Sequence, residues 1–166
     1  MTVIDEVLAA NQIYGRTHEL RELTPRPQRR LAVLTCMDTR LSIRTLGLKP
    51  GDAHIIRNAG GIVTDDTLRS LLVSHYLLET QEFMVINHTD CGLMKTTEED
   101  MRTRIQRHAG TAAVAPAHFF AFQDVHRNVR EQIQKLRTHP WVPATVVVRG
   151  FVYDVTTGLL REIQPH

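Results

Sequence analysis

Four short apolar runs, each almost unbroken by polar residues, set the tightest limit on how this chain can fold. Leu31-Ala-Val-Leu-Thr35, Ala53-His-Ile-Ile56, Phe83-Met-Val-Ile86 and Thr145-Val-Val-Val148 lack the in-out alternation of a half-exposed strand. They read as strands covered on both faces, the condition of a parallel sheet. Helical patterns lie between them. Leu68, Leu71, Leu72, His75 and Leu78 recur at helical spacing behind Thr64-Asp65-Asp66, which offers a capping side chain and first-turn acids, and this makes a βαβ unit. Thr96-Thr-Glu-Glu99 is a capping box that opens a short helix through about Arg107. Phe122, Val125, Val129, Ile133 and Leu136 stripe a later helix that stops before Pro140. Gly150-Phe-Val-Tyr-Asp-Val-Thr-Thr-Gly158 alternates like an edge strand entering a turn. The expected class is α/β: a mainly parallel central sheet flanked by helices, with an N-terminal helical arm and a C-terminal antiparallel edge strand.

A chain of 166 residues suits one domain, 1–166, within which two segments stand apart. Residues 1–22 form an arm whose first part carries Val3, Val7, Leu8 and Ile13 on an otherwise polar helix, and such a stripe needs a surface to pack against. Residues 23–30, with two prolines and no periodicity, form a linker to the first strand. The small-residue stretch 109–117 reads as a loop between helices. Lys and Arg exceed Asp and Glu by only 20 to 18, and the basic residues are dispersed apart from Arg26, Arg29 and Arg30 and the 102–107 stretch, which argues against nucleic-acid binding. No apolar run is long enough to span a bilayer. Asp5 and Glu6 stand where a secretory leader has a basic region, so a cytoplasmic, reducing location is expected, with the cysteines available as thiolates.

The only two cysteines bear on chemistry. Cys36-Met-Asp38-Thr-Arg40 follows directly on the first apolar run, and His88-Thr-Asp-Cys91-Gly92 ends the third. Ligands in parallel α/β sheets gather beyond the carboxyl ends of strands, so the two motifs are expected to meet. Two thiolates and one imidazole make a soft three-point set suited to Zn²⁺, and Asp38 can fill or guard a fourth position. Two other uses of these residues stay open: a closed structural zinc with Asp38 as fourth ligand, and a Cys36–Cys91 redox pair. His75 lies on the apolar stripe and reads as a packed, hydrogen-bonded core residue. His54, His108, His118, His126, His139 and His166 have no spacing that recruits them. Asn58-Ala-Gly-Gly61 reads as a tight turn near the metal edge, where small residues permit close backbone approach.

These residues carry a family resemblance. Cys36-Met-Asp-Thr-Arg40, Arg57-Asn-Ala-Gly60, Asp65-Asp66 with Arg69-Ser70, and His88-Thr-Asp-Cys-Gly92 resemble the β-class carbonic anhydrases, particularly their short prokaryotic branch, and Arg149–Gly158 looks like the closing strand and hairpin of that branch. The resemblance implies zinc bound by Cys36, His88 and Cys91, and an Asp38–Arg40 dyad that controls the fourth zinc position, with Asp38 as ligand in a closed state. It implies reversible hydration of carbon dioxide to bicarbonate and a proton through a zinc-bound hydroxide. It also implies a homodimer or dimer of dimers, with the arm embracing a neighbouring chain. Carbonyl sulfide or carbon disulfide hydrolysis on the same fold, and a non-catalytic zinc-binding interaction module, are the alternative functions.

Overall fold

The computed structural model describes residues 2–110 and 116–164. In chain order its elements are α1 (Val3–Tyr14), β1 (Leu31–Cys36), β2 (Ala53–Asn58), α2 (Asp65–Tyr76), β3 (Glu82–His88), α3 (Glu98–Ala109), α4 (Val125–Arg137), β4 (Val147–Tyr153) and β5 (Leu160–Ile163). The strands form one sheet in the order β2-β1-β3-β4-β5, parallel except for the antiparallel pair β4–β5. The expected class therefore holds.

Each strand sends alternate side chains to opposite faces, and both faces are covered. Ala32, Leu34, Phe83, Val85 and Val148 meet Leu71 of α2 and Val129, Ile133 and Leu136 of α4 in the larger core. Val33, Ile86 and Tyr153 face the other way, against Leu41 and Leu48 of the β1–β2 connection, where the surrounding Ile55, Met84, Phe151 and Leu160 are only partly buried. Gly150 sits in β4 where α4 presses closest. A Cβ there would lie 2.3 Å from Ile133 Cδ1 and 2.5 Å from Val129 Cγ1, so hydrogen is the only side chain that leaves this packing intact.

Several boundaries differ from the sequence expectation, each for a local reason. The runs 145–148 and 150–158 are not two strands. Val146 N–H is held in a turn by Pro143 O, β4 runs unbroken through Gly150, and the antiparallel edge strand is β5, after a turn in which Asp154 Oδ1 accepts from Thr156 and Thr157 N–H. Phe122 precedes α4 rather than riding on it, because Asp124 caps the helix by accepting from His126 and Arg127 N–H. The capping box of α3 is Thr97 with Asp100, one residue later than Thr96 with Glu99. Glu98 does not serve the cap, since its carboxylate accepts from the backbone N–H groups of Phe119 and Ala121 and so straps α3 to the segment leading into α4. The 109–117 loop falls mostly outside the described residues, as does His166.

The arm is a helix as expected, opened by a Thr2–Asp5 capping box, and it buries none of its residues. Val3, Ile4, Val7, Leu8 and Ile13 are all exposed. The linker is held at its start by His54, whose Nε2–H donates to Pro25 O and whose Nδ1 meets Ser74 Oγ, a structural part the sequence left unassigned. His75 is half-buried rather than enclosed, with Nδ1–H donating to Thr80 O.

Candidate metal centre

β1 and β3 lie side by side, but the chain leaves β1 toward β2 on one flank and reaches β4 from β3 on the other. Diverging connections of this kind open a crevice at the carboxyl ends of the two strands. Cys36 is the last residue of β1 and His88 the last of β3. A turn at Asp90, in the left-handed region at φ 57°, brings the chain round to Cys91. The ligand atoms of Cys36, His88 and Cys91 all lie within 4.8 Å of one another, and all three residues are buried. Among the described residues this is the one such cluster of three or more histidine, cysteine or acidic side chains.

Two features of the cluster fit a metal cation. His88 Nδ1–H donates to Thr89 O at 2.8 Å, and because a carbonyl only accepts, the proton is fixed on Nδ1 and the Nε2 lone pair is free. That Nε2 is buried with no hydrogen-bond partner, the one such side-chain atom among the described residues. The second feature is the state of the sulfurs. Both cysteines are free thiols. The Cys91 thiol, helped by the backbone N–H groups of Asp38 and Gly60, holds the Cys36 thiol far below its ordinary pKa, and the proximity of Cys36 pushes that of Cys91 up. Sulfurs this close cannot both carry charge until a cation lies between them.

Asp38 and Arg40 stand at the opening of the cluster. Arg40 Nε and Nη2 donate to Asp38 Oδ1 and Oδ2 at 3.0 and 2.8 Å, a bidentate pair, and Arg40 N–H adds a third bond at 2.9 Å. The Arg40 guanidinium keeps the Asp38 carboxyl well below the usual carboxylate range. Asp38 Oδ2 lies 3.8 Å from His88 Nε2, so the carboxylate is beside the cluster while its oxygens are engaged by arginine.

The structure gives roles to residues for which the sequence reading assigned none. Asp90 Oδ2 accepts from Arg40 Nη1 at 2.8 Å and its backbone oxygen from Nη2 at 3.1 Å, so Arg40 is gripped from both motifs. Lys95, then Arg40, holds the Asp90 carboxyl down at about 2. Arg57 braces the exit of β1 by donating to Cys36 O at 3.0 Å and Asp38 O at 2.6 Å. Asp90 had a sequence signal, a residue tolerant of the left-handed region between two candidate ligands. The turn 58–61 lies where expected: Gly60, at φ 85°, brings its N–H to 3.4 Å from Cys36 Sγ. A cavity of about 750 Å³ opens onto these groups, its apolar wall formed by Met37, Ala59, Leu93 and Met101, with Arg104 also lining it.

A family model described as "Carbonic anhydrase" matches residues 31–160. "Beta-carbonic anhydrase 1" of Mycobacterium tuberculosis is 40% identical over 166 residues, covering 99% of this chain and 100% of that one. "Carbon disulfide hydrolase" of an Acidianus species is 37% identical over 157 residues, covering 81% of this chain and 77% of its own. Among solved structures, carbonic anhydrase from Streptococcus mutans superposes with a TM-score of 0.91 at 41% identity and 99% coverage of each chain.

Proposed function

The chain belongs to the β-class carbonic anhydrase family, and on that premise we propose that it catalyses the reversible hydration of carbon dioxide, with Cys36, His88 and Cys91 holding a catalytic zinc. The observation that carries this reading is the unpartnered, buried Nε2 of His88 facing two thiols, with an arginine-locked carboxylate beside it.

Zinc held there supplies a Lewis acid that makes water a nucleophile near neutral pH. The chain's own residues do the rest. Thr89 O fixes the His88 ring in the tautomer that presents Nε2. Gly60 N–H donates to Cys36 Sγ and offsets part of the charge that two thiolates bring. Asp38, kept ionised by Arg40, can only accept, so it takes a hydrogen bond from the attacking water and aims its oxygen lone pair at the carbon of the substrate. Arg40 at the same time restrains Asp38 from becoming a ligand itself, and Asp90 restrains Arg40. Met37, Ala59, Leu93 and Met101 offer apolar surface to an uncharged substrate. The water's oxygen joins the carbon, the proton leaves to solvent, and bicarbonate departs through the open cavity.

The active form is proposed as a homodimer or dimer of dimers. A helix of 12 residues is marginal in water on its own, and α1 finds no cover in its own protomer, so a second copy is the surface that hides its apolar side chains. No helix among the described residues is long and apolar enough to cross a membrane.

Stopped-flow measurement of CO₂ hydration on zinc-loaded protein, run beside sulfide release from carbonyl sulfide and carbon disulfide, tests the reading. Hydration is expected, with zinc near one per chain, and Cys36→Ser or Cys91→Ser should lower both together. Sulfide release without hydration would move the chain to the hydrolases. Full zinc and full turnover in either serine variant would overturn the ligand assignment.

A further inference from the structure

Helix α4 packs Val125, Val129, Ile133 and Leu136 against the sheet, yet the same buried face carries two amides, Asn128 and Gln132, one turn apart. Both are almost wholly enclosed, at 4% and 2% exposure, and Asn87 on β3 is at 0%. Amides survive in such a place only when their hydrogen bonds are made, and here they are. Val63 N–H donates to Gln132 Oε1 at 2.9 Å, Gln132 Nε2 to Asn128 Oδ1 at 3.0 Å, and Asn128 Nδ2 to Asn87 Oδ1 at 2.7 Å. Asn87 Nδ2 then donates to Gly60 O at 2.8 Å and Gly61 O at 3.2 Å.

The chain of amides therefore begins and ends in the same turn, residues 60–63. Its direction is not free. A backbone N–H at one end can only donate and two carbonyls at the other can only accept, so every amide between them has one orientation and no flipped alternative. The turn so gripped delivers Gly60 N–H to Cys36 Sγ.

We propose that Asn128 and Gln132, acting through Asn87, are positioning residues for the metal centre: they hold the 60–63 turn so that the Gly60 N–H stays on the Cys36 sulfur and lowers its donor strength toward the metal. This rests on the proposed role of Cys36 as a ligand. Neither α4 residue is among the five on which the site was built; they act on it through one amide and one turn. Losing the N–H···S bond raises the energy of the sulfur lone pairs and makes the thiolate a stronger donor.

Cobalt(II)-loaded protein reads this out directly, because thiolate-to-cobalt charge-transfer absorption falls to lower energy as the sulfur becomes easier to ionise. Wild-type protein must first show that band; its absence would overturn the ligand assignment itself. With the band present, Asn128→Asp sets a carboxylate oxygen against Asn87 Oδ1, and Gln132→Glu removes the donor to Asn128 while keeping the acceptor for Val63. Both variants are expected to red-shift the band and to speed exchange of the Gly60 amide by about tenfold or more. Ile133→Val, which thins the same helix–sheet contact without touching the amides, should change neither. A band position and a Gly60 exchange rate unchanged in both amide variants would overturn the proposal. Should neither variant fold, the wild-type side-chain NH₂ protons of Asn87 and Asn128 decide it: slow exchange supports the fixed chain, and exchange at the rate of a surface asparagine overturns it.

Discussion

Replacing Gly61 by alanine separates a backbone penalty from a contact that matters to the site, because the fold provides its own control. Gly61 has φ 64° and Gly47 has φ 67°, so a Cβ strains the two backbones alike, by roughly 1–2 kcal/mol. Around Gly47 nothing lies within 4 Å of the new atom. At Gly61 the new Cβ falls 2.8 Å from Asn87 Nδ2 and 3.1 Å from both Cys36 N and Ile86 O. The last two belong to β1 and β3 and cannot withdraw without breaking the ladder, so Asn87 must give way. Its displacement strands at least one of the carbonyls of Gly60 and Gly61, at about 1–3 kcal/mol for a buried acceptor left without a donor. The total is roughly 2–5 kcal/mol for Gly61→Ala against roughly 1–2 for Gly47→Ala. At about 2–4 °C per kcal/mol for a chain of this size, calorimetry should show Tm falling by roughly 4–20 °C in the first and about 2–8 °C in the second. Competition with a chromophoric chelator should show weaker metal binding in Gly61→Ala alone. Equal losses of Tm and unchanged metal affinity in both variants would refute the argument that Asn87 and the strand ends crowd this position.

Arg40→Ala frees Asp38 beside the cluster, so the variant should keep its metal but lose turnover, and X-ray absorption should find a carboxylate oxygen in the coordination sphere; crystals at mildly acidic pH with water on the metal and Asp38 remote would exclude that gate. Deleting residues 1–14 removes the exposed Val3, Val7, Leu8 and Ile13, worth about 1.5–3 kcal/mol each when buried, and should weaken the proposed dimer and reduce activity; sedimentation at low micromolar concentration showing the same assembly with and without the arm would confine it to a local role. The strap between Glu98 and the 119–121 segment should be pH-dependent. Its carboxyl is held below the ordinary value, first by Phe119 N–H, so its contribution is present above the unfolded pKa and is lost as pH falls through the lower folded one. Exchange of the Phe119 and Ala121 amides, corrected for intrinsic pH dependence, should accelerate as pH falls through that lower value. In Glu98→Ala, which removes the acceptor, it should be fast throughout, and protection that ignores both changes would show that the strap does not hold the segment.

Much of this architecture was legible because single-sided rules sufficed. Unbroken apolar runs mark buried parallel strands, and a side chain at the end of such a run is placed by the strand itself, which is why Cys36 and His88 could be paired as candidates before any geometry was known. The edges were harder. Gly150 looks like a break in a strand, and only the approach of Val129 and Ile133 shows that it is a fitting surface. The capping box sits one residue later than the spacing suggested, and beside it Glu98 binds donors more than 20 residues away, a partnership invisible to local spacing. Asn128 and Gln132 escaped notice for a related reason. A polar residue on a helix is by default assigned to water, and their burial depends on Asn87 and Val63, which are distant in sequence.

The two halves of the metal cluster sit on neighbouring strands, but 52 positions separate Cys36 from His88, and β2 and α2 must be laid down between them. A chain made from its amino end exposes Cys36 well before any partner exists. The three candidate ligands become a set only once β3 has docked beside β1, so the centre cannot form before the chain has passed Cys91, with α3, α4, β4 and β5 still to follow. During the interval in which β2 and α2 are being synthesised, Cys36 has neither of the other two members of the cluster beside it.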